Sequence, residues 1–214
     1  MDGFILSGFP VPSLWRKTFL NEKTPIVAIG EDPACGLPTV NINNGDLSGE
    51  LTAYLIEKVG RRRFVFLSGG PRSYVGNERK KGFLKALASH RLTPVYSSDC
   101  DFSEDKAFEW MEIERARKGK EMPFDAVVCA NDSMAIGAMR SFLLSGITIP
   151  RDVSVAGADG LREFRYFNPS LTTYSLMPHE QGTESFHLLR QIVEGKARSK
   201  HILIRSKIEM KGST

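Results

Sequence analysis

The sequence predicts an α/β fold with parallel sheets. Two observations carry that expectation. Short runs rich in valine and isoleucine alternate with longer segments of helical spacing, and each short run closes on a polar or glycine-containing turn. The clearest unit spans Phe124 to Asp159. Ala126–Cys129 is apolar and too short for a helix, so it reads as a buried parallel strand. It stops at Ala130-Asn131-Asp132, where a cap for the next helix begins. Met134, Ile136, Ala138, Met139, Phe142 and Leu143 then recur at helical spacing. Gly146 ends that helix, Pro150 prevents its resumption, and Val153–Ala156 is a second buried strand. That strand runs into Gly157-Ala158-Asp159-Gly160. Ligands of open α/β sheets bind beyond the carboxyl ends of the strands, so Asn131 and Asp159 are expected on one rim.

The other elements follow in chain order. Gly3–Ser7 is a short strand that begins almost at the first residue, and Trp15–Leu20 has room for one or two helical turns. Pro25–Ile29 and Thr39–Ile42 are strands closed by Gly30-Glu31-Asp32-Pro33 and Asn43-Asn44-Gly45-Asp46. A helix is expected over Leu47–Val59, with Leu51, Tyr54, Leu55 and Ile56 on its buried face. Phe64–Leu67 is a strand ending in Ser68-Gly69-Gly70-Pro71. Helix Asn77–Ala88, strand Pro94–Tyr96 and helix Glu104–Arg117 come next. After the central unit, Leu171–Tyr174 is extended, Gln181–Glu194 is an amphipathic helix, and Ile202–Met210 alternates as strand residues do.

Composition narrows the function classes. With 214 residues the chain is long enough for one large or two small cores. Its 41% apolar and 25% charged residues are ordinary for a soluble globular protein. The net charge of +4 is mild, and the clusters Arg61-Arg62-Arg63 and Arg79-Lys80-Lys81 form no recognition-helix pattern, so no nucleic-acid reader is predicted in these residues. Cys35, Cys100 and Cys129 are an odd number without metal-ligand spacing, which points to a reducing compartment. The opening residues lack the cationic start and apolar run of a signal peptide, and no transmembrane span is predicted, so a cytoplasmic location is expected. His90, His179, His187 and His201 are scattered. Ser68-Gly69-Gly70-Pro71 lacks the lysine and hydroxyl ending of a P-loop and the full GxGxxG of a dinucleotide site. Neither catalysis nor a metal or cofactor is therefore expected; Asp99, Asp101, Glu104 and Asp105 read as solvated loop and helix-start charges.

The segment ANDSMAIGAM, followed by GITIPRDVSVAGAD and then PSLTT, resembles the effector-binding core of the lactose-repressor (LacI/GalR) family of bacterial transcription regulators. The likeness runs through essentially the whole chain. It implies a periplasmic-binding-protein-like fold of two doubly wound parallel-sheet lobes. One lobe would comprise residues 1–43 plus 178–200, the other residues 44–175 plus 201–214. Family members begin with a helix-turn-helix headpiece, a hinge and two further βα units. The present sequence starts at what corresponds to the third strand of the first lobe. A first lobe incomplete at its N-terminus is therefore expected, in a truncated form or fragment, with an unpaired edge at Gly3–Ser7.

The same resemblance singles out candidate ligand contacts. Asp159 suits a carboxylate accepting from ligand hydroxyls or an amine, although a turn aspartate bonding its own backbone fits the position as well. Asn131 offers a donor and an acceptor at the neighbouring strand end, and a helix cap is the plainer alternative for it as for Asp132. We assign Asn131 to the ligand and Asp132 to the helix cap. Arg79 falls in a segment similar to the family's RxxGF, and its planar guanidinium can fork onto hydroxyls, a carboxylate or a phosphate, with Lys80 and Lys81 left on the surface. Phe102 falls where the family places an aromatic that stacks on the ligand ring; a core phenylalanine before a helix is the plainer alternative. In the first lobe the sequence departs from the family. Gly30 replaces a frequent aspartate, with Glu31 or Asp32 as substitutes, and Leu176 replaces a polar contact. Asn43, Leu47 and Tyr54 stand for the family's aspartate, glycine and histidine, and Asn44 is retained.

These expectations converge on a sensor. A sugar, sugar phosphate or purine-like effector would bind between the lobes and favour one arrangement of them. Control of operator DNA would pass through a headpiece absent from this sequence, in a homodimer, with no membrane partner. A transporter's solute-binding protein shares the fold and is the alternative, ahead of a sugar- or nucleotide-converting enzyme.

Overall fold

The computed structural model describes residues 2–8, 18, 24–118, 122–197 and 200–214. The expected turn at Trp15–Leu20 falls, Thr18 apart, outside them. The strands are β1 (Phe4–Ser7), β2 (Ile26–Ile29), β3 (Thr39–Ile42), β4 (Phe64–Ser68), β5 (Tyr96–Asp99), β6 (Ala126–Cys129), β7 (Ser154–Ala156), β8 (Thr173–Tyr174), β9 (His201–Ile204) and β10 (Ile208–Glu209). The α-helices are α1 (Asn44–Glu57), α2 (Tyr74–Ser89), α3 (Glu104–Lys118), α4 (Asp132–Leu144) and α5 (Pro178–Val193). No helix among the described residues is long and apolar enough to cross a membrane.

Two compact units are present. The first comprises Met1–Asn43, Arg72–Val75 and Leu176–Ser206. Its four-stranded sheet has the order β1-β2-β3-β9, and every neighbouring pair is parallel. The two faces follow from the pleat, which sends successive side chains to opposite sides. Val27 and Val40 pack with Leu188 of α5, joined by Leu189, Ile192, Ile202 and Ile204. Ile26 and Ala28 face the other way, with Cys35, Leu37, Phe4 and Leu6. Burial of each such valine or leucine side chain contributes about 1.5–3 kcal/mol. The edge strand β1 leaves Ile5 39% exposed.

The tail departs from the expected assignment. Ile202–Met210 is two strands, and residues 201–204 do not join the second unit. β9 pairs with β3, from Thr39↔His201 to Ile42↔Ile204. The cause is the preceding helix: α5 packs on the first sheet and delivers the next strand to that sheet as a parallel crossover. Only β10 crosses to the second unit, where it runs antiparallel to β8.

The second unit comprises Asn44–Pro71, Gly76–Ser175 and Lys207–Thr214. Its parallel sheet has the order β5-β4-β6-β7. Strands β4, β6 and β7 are buried along their whole length, which explains their unbroken apolar sequences. The chain leaves β4 for β5 on one side, then crosses back to place β6 on the other, so the winding reverses between β4 and β6. In open α/β sheets, ligands bind beyond the carboxyl ends of the strands at such a switch point. Beyond β7, parallel bridges Ala156↔Thr172 and Asp159↔Ser175 bring the chain alongside the sheet edge. Ser213 completes the edge: Val155 N donates to its carbonyl at 2.9 Å, and its hydroxyl donates to Val155 O at 2.6 Å.

Candidate functional site

The rim of the second unit is assembled at the carboxyl ends of its strands, with Asn44 and Arg79 reaching it from α1 and α2. Arg79 lies one turn into α2 and is only 2% exposed. Its Nε donates to Asn44 Oδ1 at 2.8 Å, and its Nη1 donates both to Ala130 O, the first carbonyl past β6, and to Asp159 Oδ1 at 3.0 Å. The guanidinium stands over the Tyr174 ring, 5.6 Å from its centroid. Burial alone lowers the basicity of Arg79, and Tyr174 and Asp159 more than offset it, so the group is raised above its ordinary value and stays cationic. Among the described residues its Nη2 has no partner. The Tyr174 hydroxyl is buried and also has none.

Asp159 follows β7 after Gly157 and Ala158. Its φ of +123° lies in a region that favours glycine, and such strain persists only where the surroundings impose it. Here the backbone imposes it, since Asp159 N donates to Tyr174 O at 2.9 Å. Burial raises the Asp159 carboxyl above its ordinary value, and Arg79 beside it offsets only part of that rise. Thus two of the four expected residues, the buried Arg79 and the partly buried Asp159, form one ion pair.

Asn131 and Phe102 form the other half of the rim. Phe102 has a φ of +56°, and its carbonyl accepts from Asn131 Nδ2 at 3.1 Å. Its ring covers the backbone of Gly69, where an added Cβ would stand 2.0 Å from Phe102 Cζ. Glycine at 69 therefore serves close approach by the ring. Asn131 also holds the cap that the sequence analysis assigned to Asp132: its Oδ1 accepts from Met134 N at 2.9 Å, in extended backbone before α4. The two residues differ by one step along the chain, and the one whose side chain faces back over the first helical turn is the cap. With both side-chain atoms engaged, Asn131 orders the rim, and Asp132 is freed for a different task.

Thr173, Tyr174 and Gly69 were not singled out in the sequence, and Asp132 was read there only as a cap. Asp132 is fully buried; its Oδ1 accepts from Thr173 Oγ1 at 2.6 Å and its Oδ2 from Leu161 N at 2.8 Å. Lys81, placed on the surface by the sequence, is exposed there and pairs with Glu78 at 2.7 Å. In the first unit, the proposed substitutes for the family aspartate have local roles. Asp32 caps a short 3-10 turn by accepting from Ala34 N at 2.8 Å, and Glu31 Oε1 accepts from Asp32 N at 3.1 Å. No group of three or more metal-binding side chains occurs among the described residues.

Comparison with known proteins agrees with this architecture. The model of the periplasmic binding protein-like domain matches residues 52–214. The HTH-type transcriptional repressor PurR of Vibrio atlanticus is 33% identical over 168 residues, which are 75% of this chain and 48% of that protein. CytR of Escherichia coli, also an HTH-type transcriptional repressor, is 28% identical over 199 residues, 92% of this chain and 57% of that one. The chain thus spans about half the length of these curated relatives. A regulatory protein of the LacI family from Chloroflexus aggregans superimposes with a TM-score of 0.90 at 29% identity, over 100% of this chain and 76% of that chain. Parallel sheets wound in this order, a strand-end rim with an arginine–aspartate pair, and relatives that are regulators lead to one conclusion: the chain belongs to the periplasmic binding protein-like domain family, in the form carried by LacI-family transcriptional regulators.

Proposed function

We propose that these residues bind a small, uncharged, hydroxyl-bearing effector, a sugar or a purine-like nucleoside, at the strand-end rim of the second unit. The observation that carries this reading is the Arg79–Asp159 pair at the carboxyl end of β6 and β7. Its formal charges cancel, so a phosphate approaching Arg79 would also meet a carboxylate. A neutral ligand can use both, accepting from the free Nη2 of Arg79 and donating to Asp159, with each charge-assisted bond worth about 1.5–3 kcal/mol. The half-buried Phe102 ring offers an apolar surface for a pyranose or purine face. Solved proteins of the same fold include a regulator in complex with cellobiose and a LacI-family regulator with bound ribose, which fits a neutral sugar. The second unit, Asn44–Pro71, Gly76–Ser175 and Lys207–Thr214, forms the ligand-bearing lobe. Effector binding favours one lobe arrangement by differential affinity, and so controls operator binding by a headpiece in a longer cytoplasmic homodimer. No catalytic step is part of this reading.

A thermal-shift screen of neutral sugars, their phosphates and purine nucleosides tests it. A ligand present at a hundredfold excess over its Kd adds about 2.7 kcal/mol. For a chain of this size that raises Tm by roughly 5–10 °C. The shift should vanish in Asp159→Asn, and the ligand should be recovered chemically unchanged. A screen in which only phosphorylated compounds shift Tm overturns the neutral-ligand reading. One in which nothing does overturns the sensor reading for this chain.

A further inference from the structure

Behind the ion pair lies a carboxylate that no ligand has to touch. Asp132, at the start of α4, is fully buried and collects the far side of the segment that carries Asp159. Its Oδ2 accepts from Leu161 N at 2.8 Å. Its Oδ1 accepts from Thr173 Oγ1 at 2.6 Å, and that hydroxyl in turn accepts from Gly160 N at 3.3 Å. The fit is close, since a Cβ on Gly157 would stand 2.4 Å from Asp132 Oδ1. On the near side the segment is tied by its own backbone, with Gly157 N donating to Thr172 O and Asp159 N to Tyr174 O, both at 2.9 Å. Past Asp159 that pairing gives way to the Thr173 hydroxyl and the Asp132 carboxylate. Asp159 sits between the two sets of ties in its strained conformation.

We propose that Asp132 is a positioning residue: as a carboxylate it holds Gly160 and Leu161, fixes the aim of Asp159 toward Arg79, and on taking up a proton loosens that hold and weakens the rim. The inference rests on the reading of Asp159 as a ligand contact. Both carboxylate oxygens already face donors, so a proton on either one competes with an existing bond. Burial pushes the Asp132 carboxyl up to about 7, against the bonds from Thr173, Leu161 and Gly160 that favour its charged form. The groups that face it are Asp159, Arg79, Tyr174 and Cys129. Arg79 remains cationic. Burial pushes the Tyr174 phenol up to about 12 and holds the Cys129 thiol well above the usual range, so neither titrates with it. Asp159 is the one competing group, and Arg79 opposes its protonation.

Amide spectra of the unliganded 214-residue chain between about pH 5 and pH 8.5 decide the matter. The Asp159, Gly160 and Leu161 resonances should move together with one midpoint. That titration should disappear in Asp132→Asn and persist in Asp159→Asn at a lower midpoint. Thr173→Val removes a bond that favours the charged form, so it should move the midpoint upward, which a purely structural tie would not do. Flat resonances across the range, or a titration that survives Asp132→Asn, overturn the proposal. Should Asp132→Asn fail to fold, the Thr173→Val shift and the Asp132 Cγ resonance of the native chain give the same decision. No ligand enters the experiment, so its failure is distinct from an empty effector screen.

Discussion

Arg79 is almost wholly removed from water, and each engaged nitrogen is matched to a named acceptor: Asn44, Ala130 and Asp159. Such a pair contributes less than its Coulomb attraction suggests, because both ions were desolvated to form it; removal of one partner exposes the whole desolvation cost of the other. Arg79→Met keeps the volume and strands Asp159 without its cation. It should lower the stability of the second unit by roughly 3–5 kcal/mol, read from urea unfolding. Asp159→Asn should cost less, since the amide oxygen still accepts from Nη1. Equal costs for the two variants would mean that the pair is a packing element and not a compensated charge. This residue-scale asymmetry is why Asp159→Asn, and not Arg79→Met, is the variant suited to the effector screen.

Between elements, glycines set how closely helices approach. Gly45 and Gly49 are four residues apart on one face of α1, and Gly82 on α2 meets them: a Cβ on Gly82 would stand 1.9 Å from Gly45 O, and one on Gly49 3.3 Å from Gly82 O. Because the obstacle is backbone carbonyl and not a mobile side chain, Gly82→Ala must push the helices apart. Overpacking of this kind costs about 1–3 kcal/mol or more, and α2 carries Arg79 into the rim. The variant should therefore lose both stability, in urea unfolding, and the Arg79–Asn44 bond, seen as a shifted Arg79 Nε–H resonance. An unchanged midpoint would show that the helices move apart without cost. The same contact marks the limit of what was legible in the sequence. Gly82 and Phe83 were visible as part of a motif, whereas Gly45 read as a turn, so α1 was expected at Leu47 and begins at Asn44. Likewise α2 begins at Tyr74 and α5 at Pro178, each three residues before its expected start at Asn77 or Gln181. The positions of β2, β4, β6 and β7 were legible because buried parallel strands leave apolar runs. β5 was not: its YSSD is mostly exposed, and it runs over Tyr96–Asp99 where Pro94–Tyr96 was expected. Nor was the switch point, because strand order leaves no mark in a run of apolar residues. The cap was not, since Asn131 and Asp132 are both good capping residues and only side-chain direction separates them. β9 was misplaced because alternation in Ile202–Met210 shows two faces and says nothing of which sheet receives them.

At the scale of the whole molecule, these buried acids tilt the dependence of stability on pH. Asp132 has an ordinary value near 3.8 and is raised to about 7 by burial. Between those values the folded chain holds a proton that the unfolded chain has released. Its contribution is fully present below about 4 and is lost as pH rises through about 7, with a slope of at most ~1.4 kcal/mol per pH unit. Asp159 is raised as well and acts in the same direction. His90 adds to it from the exposed side. Its ring nitrogens face Ala86 O at 2.8 Å and Glu57 Oε1 at 2.9 Å, two acceptors that only the imidazolium can serve together, and these bonds raise it above 6.5. That contribution is present below 6.5 and fades as pH rises through the raised value. Glu112, Asp152 and Glu194 work the other way, held low by Arg115, Arg151 and Lys196 respectively; their stabilisation is present above the ordinary carboxylate range and is lost as pH falls below it. The two sets act in different windows, so stability should peak in mild acid and decline toward alkaline pH. Urea midpoints measured across that range should fall from about pH 5 to about pH 8. Asp132→Asn should flatten the decline below about 7, and His90→Gln should flatten only the part above about 6.5. A native midpoint that rises over the same interval would mean that Asp132 enters the folded chain already ionised, with its three donors outweighing burial.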